Sequence, residues 1–126
     1  MFFEIDAASS QAIYEQVVQQ VKFAIAAGAV QEDEMIPSVR ELSKTLAINP
    51  NTVARAYRSL QDESIVYPRR GQGLAVSPEA QARCKIERKS IFENRFRKLF
   101  DDAIRSRLEP VEIREMVEGQ LSVACR

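Results

Sequence analysis

Residues 37–73 read PSVRELSKTLAINPNTVARAYRSLQDESIVYPRRGQG, and this stretch decides the fold. It contains two short segments with helical spacing of apolar residues, separated by a tight turn. Two short strand-like runs follow, and Arg-Arg-Gly-Gln-Gly separates them. Two helices joined by a tight turn and followed by a β-hairpin are the elements of a winged helix-turn-helix. The stretch therefore predicts this architecture, and we expect the flanking segments to support it.

The start of each central helix is marked by residues that favour a helix N-terminus. Ser38 stands three residues before Glu41, which is the spacing of a capping box. Asn49 is a suitable N-cap, and Pro50 then occupies the first helical position, where no backbone N–H is required. We expect residues 47–49 to form the turn between the two helices.

The helix that begins at Pro50 has two distinct faces. Four residues at helical spacing are expected to be buried: Val53, Ala56, Tyr57 and Leu60. The opposite face carries Asn51, Arg55 and Arg58, flanked by Thr52 and Ser59. Backbone N–H groups at Asn51 and Thr52 are expected to be exposed and to suit a phosphate. An ordinary solvated helix face is the alternative, but the tight turn, the Pro start and the small polar first turn favour a DNA-reading helix.

The predicted hairpin has a basic turn. Strand patterns at residues 65–67 and 74–76 enclose a turn at residues 68–73, in which two glycines allow positive φ. A basic turn of this kind can reach into a DNA groove or lie along phosphates. A plain hairpin turn is the alternative. The candidate DNA-contacting residues of this wing are Arg69, Arg70, Gly71 and Gln72.

The charge distribution supports nucleic-acid binding only locally. The chain has 18 basic and 18 acidic residues, so its overall field does not steer it toward DNA. Residues 36–77, however, carry six basic and three acidic side chains, whereas residues 1–35 carry one and six. A basic central stretch within a neutral chain is consistent with a small phosphate footprint.

A support helix is predicted before this stretch, after an extended lead-in at residues 2–6. Ser9 or Ser10 is the expected N-cap, and Gly28 the expected end. Its apolar residues recur at helical spacing and are assigned to the core without any chemical role: Ile13, Tyr14, Val17, Val18, Val21, Ala24 and Ile25. Residues 31–34 then form an acidic loop, and residues 35–36 can pair briefly as a strand.

Several spaced blocks together resemble the N-terminal winged helix-turn-helix of the GntR family of bacterial transcription regulators. The blocks are Ile13-Tyr14 with Gln16, Pro37-Ser38-Val39-Arg40-Glu41-Leu42, Asn49-Pro50-Asn51-Thr52-Val53 with Arg55-Ala56-Tyr57, and Arg69-Arg70-Gly71-Gln72-Gly73. The resemblance covers about residues 11–77. It departs from the family pattern at residues 32–34, where Pro-Gly is usual, and at Ser64, where Gly is common.

The resemblance implies contacts for particular residues. Arg40 matches the family's phosphate- or base-contacting arginine on the second helix. The start of the reading helix is matched by Asn49, Asn51, Thr52 and Arg55, and the wing tip by Arg70 and Gly71. With Ser38, Arg58, Arg69 and Gln72, these residues form the predicted DNA-binding set.

The remaining residues, 78–126, are too few for the larger ligand-binding or aminotransferase domains of other GntR-type regulators. They read as one long helix from Glu79, a break at Glu109-Pro110, and a shorter helix. This tail resembles that of the YtrA subfamily. The predicted fold is mostly α with a small β-hairpin: a winged helix-turn-helix domain at residues 1–77 and a helical dimerisation tail at residues 78–126.

The tail exposes apolar stripes that are expected to form a dimer interface, because two helices alone leave too much apolar surface uncovered. The predicted interface residues are Phe92, Phe96, Leu99, Phe100, Ala103, Ile104, Met116, Val117 and Leu121. Packing of the stripes on the winged domain, which gives a monomer, is the alternative.

These features predict a sequence-specific DNA-binding regulator, a repressor in our interpretation, that acts as a homodimer on double-stranded DNA with a pseudo-palindromic operator. A winged-helix module that binds an acidic protein is the alternative, and an enzyme has little support because no nucleophile has a neighbouring base. No cofactor or metal is predicted, since the chain has no histidine and two cysteines. Whether an unidentified small-molecule effector binds is left open.

The predicted location is the cytoplasm. No signal peptide or membrane span is recognised, and Cys84 and Cys125 form no disulfide framework.

Overall fold

The computed structural model describes residues 5–125, so residues 2–4 of the expected lead-in lie outside the described residues. Within that range the elements follow one another as α1 (Ile13–Ala26), α2 (Val39–Leu46), α3 (Pro50–Asp62), β1 (Val66–Arg69), β2 (Gly73–Val76), α4 (Ala80–Arg105) and α5 (Pro110–Ala124). This order confirms the predicted winged helix-turn-helix followed by two helices.

The core of the winged unit is built around α3. Helices α1 and α2 both pack against α3, and α3 also contacts β1. From α1, Val17, Val21 and Ile25 are fully buried, and Val53 and Leu60 of α3 meet them in the same cluster. Burial of this apolar area is the main stabilising contribution, at about 25 cal/mol per Å² removed from water. The helical spacing of Val17, Val21 and Ile25 therefore predicted the buried side of this helix correctly.

The wing is a two-stranded antiparallel hairpin. Val66 pairs with Val76 at its base, and Arg69 pairs with Gly73 beside the turn. Met35 forms an isolated antiparallel bridge with Ala75, which confirms the brief pairing expected at residues 35–36 although no full strand forms there. The segment before α2 is thereby fixed along β2.

The expected serine cap of α1 is wrong. Helix α1 begins after Ala12, whose methyl side chain cannot accept a capping hydrogen bond. The Ser9 hydroxyl instead accepts a hydrogen bond from the Gln11 backbone N–H at 3.1 Å. The physical reason is the buried Gln16, whose Nε2 donates to the carbonyl oxygens of Asp6 and Gln11 and so holds the preceding residues in a non-helical turn.

Four helices end in a Schellman motif, in which a left-handed residue closes two backbone hydrogen bonds. Gly28 takes this position after α1 with φ +79°, which confirms the expected end of that helix. The corresponding residues after α2, α3 and α4 are Ala47, Ser64 and Arg107, all with positive φ. Arg107 also corrects the predicted break in the tail: α4 ends at Arg105, and Glu109 and Pro110 start α5 instead of stopping α4.

The chain divides into two compact units, one that runs to Arg88 and one that begins at Lys89. The first turns of α4 belong to the winged unit, where Ala80 and Cys84 are buried in its core. The division into functional domains at residues 77 and 78 stays a prediction.

Candidate nucleic-acid interface

Helix α2 begins with the predicted capping box. The Ser38 hydroxyl accepts a hydrogen bond from the Glu41 N–H at 3.0 Å, and the Glu41 carboxylate accepts one from the Ser38 N–H at 3.3 Å. The cap fixes the first turn of α2, where Arg40 is exposed to solvent. Ser38 thus has a structural role in its own helix, and its contact with DNA stays a prediction.

The turn into α3 satisfies its own backbone. Asn49 caps α3 as predicted: its side-chain oxygen accepts from the Asn51 N–H at 2.8 Å. The Asn49 carbonyl also accepts from the N–H groups of Thr52 at 3.0 Å and Val53 at 3.3 Å. The expectation of free N–H groups at Asn51 and Thr52 is therefore wrong, because Asn49 supplies both acceptors. The first turn of α3 exposes its side chains and the positive end of its dipole to solvent.

The two faces of α3 are confirmed. Its four predicted core residues are all buried: Val53, Ala56, Tyr57 and Leu60. On the opposite face, Asn51, Arg55 and Arg58 are exposed. The hydroxyl of Tyr57 donates to the Pro37 carbonyl at 2.7 Å, which anchors α3 to the segment that leads into α2. Burial raises the pKa of Tyr57, and the nearby Glu41 charge raises it further, so this donor keeps its proton.

The side chain of Arg55 lies on α1. Its guanidinium carbon is 3.7 Å from the centre of the Tyr14 ring, which is a close cation–π contact. Ile13 and Tyr14 from α1, together with Asn51, Thr52 and Arg55 from α3, line one open cavity of about 420 Å³. Three of the predicted DNA-binding residues are thus brought together. The assignment of Ile13 and Tyr14 to the core alone missed their position at this site.

The wing presents its turn to solvent. Arg70, Gly71 and Gln72 form the turn and are exposed, and the Gln72 N–H donates to the Arg69 carbonyl at 2.9 Å. Gly71 has a φ of +76°, which an L residue with a side chain rarely adopts. The turn is one residue shorter at its end than predicted and two residues shorter at its start, because Pro68 and Arg69 belong to β1.

The two wing arginines differ in their surroundings. Arg69 donates to the Tyr67 hydroxyl at 2.7 Å, and Tyr67 in turn donates to Asp33 at 2.8 Å. The Asp33 carboxylate lies 3.8 Å from the Arg69 guanidinium. The acidic loop therefore borders the wing and holds Arg69, whereas Arg70 extends from the turn.

Exposed basic side chains lie on α2, on α3 and in the turn of the wing. Among residues 5–125, the recorded ion pairs do not include the exposed side chains of Arg40, Lys44, Arg55, Arg58 and Arg70. Exposed cations of this kind are suited to phosphate oxygens, and the arginines also to the acceptor edge of guanine.

Most of the large apolar side chains of the second unit are exposed. Of the predicted interface residues, Phe96 and Leu99 are 64% and 67% exposed, and Met116 is 60% exposed. The other large ones are also exposed to solvent: Phe92, Phe100, Ile104, Val117 and Leu121. Ala103 is half-buried. Leu108, Val111 and Val123 of this unit are further exposed apolar residues outside the predicted interface set, and Ile86 is exposed on the part of α4 that belongs to the winged unit.

The two cysteines differ in exposure, since Cys84 is buried and Cys125 is exposed. Burial raises the pKa of the Cys84 thiol to about 11, which disfavours the reactive thiolate. Across residues 5–125, no group of three or more Cys, Asp or Glu side chains could hold a metal ion. Over the same range, no helix has the length and apolar content needed to cross a membrane.

Comparison with known proteins identifies relatives of this arrangement. The family model described as "Bacterial regulatory proteins, gntR family" matches residues 13–76. The chain is 33% identical over 115 residues to the HTH-type transcriptional repressor YtrA of Bacillus subtilis (strain 168), a match that covers 91% of this chain and 88% of YtrA.

Solved structures agree with these relationships. The crystal structure of a transcriptional regulator from Oenococcus oeni matches with a TM-score of 0.73 and 25% identity, over 95% of this chain and 99% of that one. The DNA-binding domain of AraR in complex with operator ORE1 matches with a TM-score of 0.51 and 25% identity, over 60% of this chain and 94% of that domain.

Proposed function

Because the chain belongs to the gntR family of bacterial regulatory proteins and is a DNA-binding transcriptional regulator, we propose that it is a repressor that acts as a homodimer on a pseudo-palindromic operator. The match to the YtrA repressor over nearly the whole chain supports the direction of regulation. The observation that carries the proposal is the exposed face of α3, whose arginines stand opposite a buried core face.

In this proposal α3 lies in the major groove. The side chains of Asn51, Thr52 and Arg55 meet base edges there, because they share the cavity at the start of the helix. An amide, a hydroxyl and a guanidinium together provide donors for the acceptors of adenine and guanine. Arg58, one turn further along α3, reaches the flanking backbone.

Phosphate contacts from the neighbouring elements fix the position of α3 on the duplex. Arg40 at the capped start of α2 precedes α3 in the sequence, and Arg70 at the wing tip follows it. Both side chains are exposed. Such contacts provide affinity and orientation without reading the sequence. A neutral chain gains little from long-range attraction, so binding depends on these local contacts and on the pairing of two copies.

The homodimer is proposed to form through the tail. On α4, Phe92, Phe96, Leu99 and Ala103 are spaced by four, three and four residues, which is the pattern of a coiled-coil seam. On α5, Met116, Val117 and Leu121 add a second stripe. Exposed apolar side chains of this number are rare on a monomer, and a second copy with the same stripes would cover them.

A two-fold dimer presents two α3 helices to the same side of a duplex. Their half-sites would be about one DNA turn, roughly 34 Å, or a multiple of it apart. Bound across a promoter, the dimer would occlude it. We propose that the protein works in the cytoplasm by binding alone, without catalysis, as expected of a chain that resembles the YtrA repressor. An effector is not needed for this mechanism.

The proposal is tested by selection of genomic fragments with the full-length protein, followed by footprinting and a gel-shift titration over a salt series. The expected result is a protected inverted repeat and a linear fall of log K with log salt, with a slope of about −0.9 per phosphate contact. Random DNA of equal length is the control and should bind much more weakly. Equal affinity for the selected and random fragments would contradict sequence-specific repression and would favour the protein-binding alternative.

A further inference from the structure

We propose that Tyr14 of α1 is a positioning residue for DNA recognition, which acts by holding the Arg55 guanidinium in place before DNA arrives. This inference rests on the proposed function, because Arg55 is one of its base-reading residues. Tyr14 itself was assigned only to the core by its place in the α1 stripe. Its ring instead forms one wall of the cavity where Arg55, Asn51 and Thr52 meet.

The geometry of the contact leaves the hydrogen-bonding edge of Arg55 free. The guanidinium carbon lies over the ring face, 3.7 Å from its centre. An arginine held through its face keeps its five N–H donors, which lie in its plane, available for a ligand. The recorded hydrogen bonds and ion pairs of residues 5–125 do not engage the Arg55 side chain. Arg69 provides the contrast, because its Nη2 already donates to the Tyr67 hydroxyl.

The contact also lowers the entropic cost of binding DNA. An exposed arginine loses rotamer freedom when it is fixed against a base, and a side chain that is already held loses less. Arg58, exposed on the same helix, has no aromatic partner among the described cation–π contacts and would be ordered only on DNA. Tyr14 therefore makes Arg55 the preorganised cation of α3.

The position of Tyr14 is itself well fixed. Tyr14 is half-buried and packs against the core cluster, and the next turn of α1 is anchored by the fully buried Val17. The ring is consequently held on a helix that packs directly against α3. A rigid support of this kind can define the direction of a flexible side chain.

The contact can be tested in the free wild-type protein by NMR. The Arg55 side-chain Nε–Hε resonance should be shifted upfield by the ring current and should show a more positive heteronuclear NOE than that of Arg58. Equal shifts and equal NOE values for the two arginines would overturn the proposal, and this measurement needs no variant that could fail to fold.

The role is tested with an operator fragment selected by the wild-type protein. Tyr14→Leu should weaken operator binding about three- to tenfold and leave binding to random DNA within about twofold. Tyr14→Phe keeps the ring and should bind within about twofold of wild type. In an Arg55→Ala background, Tyr14→Leu should have no further effect beyond about twofold, because the residue that it positions is gone.

The outcomes separate the two proposals. If the wild-type protein selects no fragment, the proposed function fails and the role of Tyr14 fails with it. If wild type binds its operator and Tyr14→Leu binds equally well, only the positioning role is overturned. A loss that is the same in the Arg55→Ala background would also overturn it, since Tyr14 would then act through the fold or through its own contact with DNA.

Discussion

The Nζ of Lys22 lies 3.0 Å from the Oε1 of Glu87, and this contact joins α1 to the first turns of α4. A second carboxylate, Glu63 after α3, lies 2.9 Å from the same Nζ. The Lys22 side chain is only 8% exposed, whereas the two glutamates are 41% and 44% exposed. The charge at the centre of this triad is therefore buried, and its partners remain in contact with water.

Because only the lysine is buried, removing the lysine and removing the two glutamates should have unequal effects on the stability of the fold. Lys22→Met should change the free energy of unfolding by no more than about 1 kcal/mol, because the methionine fits a buried site and water solvates both glutamates. The double variant that combines Glu63→Gln and Glu87→Gln should lower the free energy of unfolding by about 2–3 kcal/mol, because the buried ammonium of Lys22 loses both counter-charges. Urea unfolding at pH 7 measures both. A larger loss for Lys22→Met than for the double variant would contradict this account.

A second prediction concerns alkaline pH. Burial raises the pKa of Cys84 from 9.0 to about 11. Burial lowers the pKa of Lys22, but the hydrogen bonds and charges of Glu63 and Glu87 outweigh it and raise the pKa above 10.5. The pKa of Tyr57 is also raised, mainly by burial. In each case the folded state holds its proton to higher pH than the unfolded state, so stability is complete below these unfolded values and falls as pH rises.

Urea unfolding between pH 8 and pH 10.5 measures this dependence. Between pH 9 and pH 10, where Cys84 accounts for most of the difference, wild type should lose about 1 kcal/mol. Cys84→Ala should be less stable at pH 8 but should lose much less over that interval. The matched variant Cys125→Ala removes an exposed thiol and should keep the wild-type slope. Identical slopes for wild type and Cys84→Ala would exclude Cys84 as the titrating group.

A third prediction follows from Ser64. This residue has a φ of +60° in the Schellman motif that ends α3, a position usually taken by glycine. Ser64→Gly should stabilise the protein by about 0.5–1 kcal/mol, because it removes the left-handed strain of an L residue. The control Ser59→Gly lies within α3 and should destabilise by a similar amount. Thermal unfolding tests the pair, and a lower Tm for Ser64→Gly would count against backbone strain at this turn.

Much of α3 could be predicted from the sequence, because the residues that determine its start and its two faces lie within the helix or directly before it. The buried and exposed faces of α3 follow from the spacing of Val53 and Leu60, and its start follows from Asn49 and Pro50. The satisfied N–H groups of its first turn were missed because the side chain and carbonyl of Asn49 both serve as acceptors, and sequence pattern does not reveal how they divide the donors. Contacts between distant residues, such as Tyr14 with Arg55, depend on how α1 packs on α3 and could not be read from periodicity.

The unequal surroundings of the wing arginines give a fourth prediction. Arg70→Ala should weaken binding to operator and to random DNA alike, by about three- to tenfold, and should reduce the salt slope by about one, as expected for a lost phosphate contact. Arg69→Ala should change binding by less than about twofold, since Asp33 and Tyr67 already hold that guanidinium. Gel-shift titrations in a salt series distinguish the two. A larger effect from Arg69→Ala would mean that DNA releases it from the acidic loop.

The final prediction concerns the tail, where Phe96 is 64% exposed within the proposed seam of α4. Phe96→Glu would place a carboxylate where the second copy is expected to pack, and a buried unpaired charge is strongly unfavourable. Sedimentation should show monomers, and operator affinity should fall because each α3 then binds a half-site alone. The control Lys98→Glu introduces the same group on the opposite side of α4 and should remain dimeric. A dimer that survives Phe96→Glu would remove this seam from the interface and leave the α5 stripe as the remaining candidate.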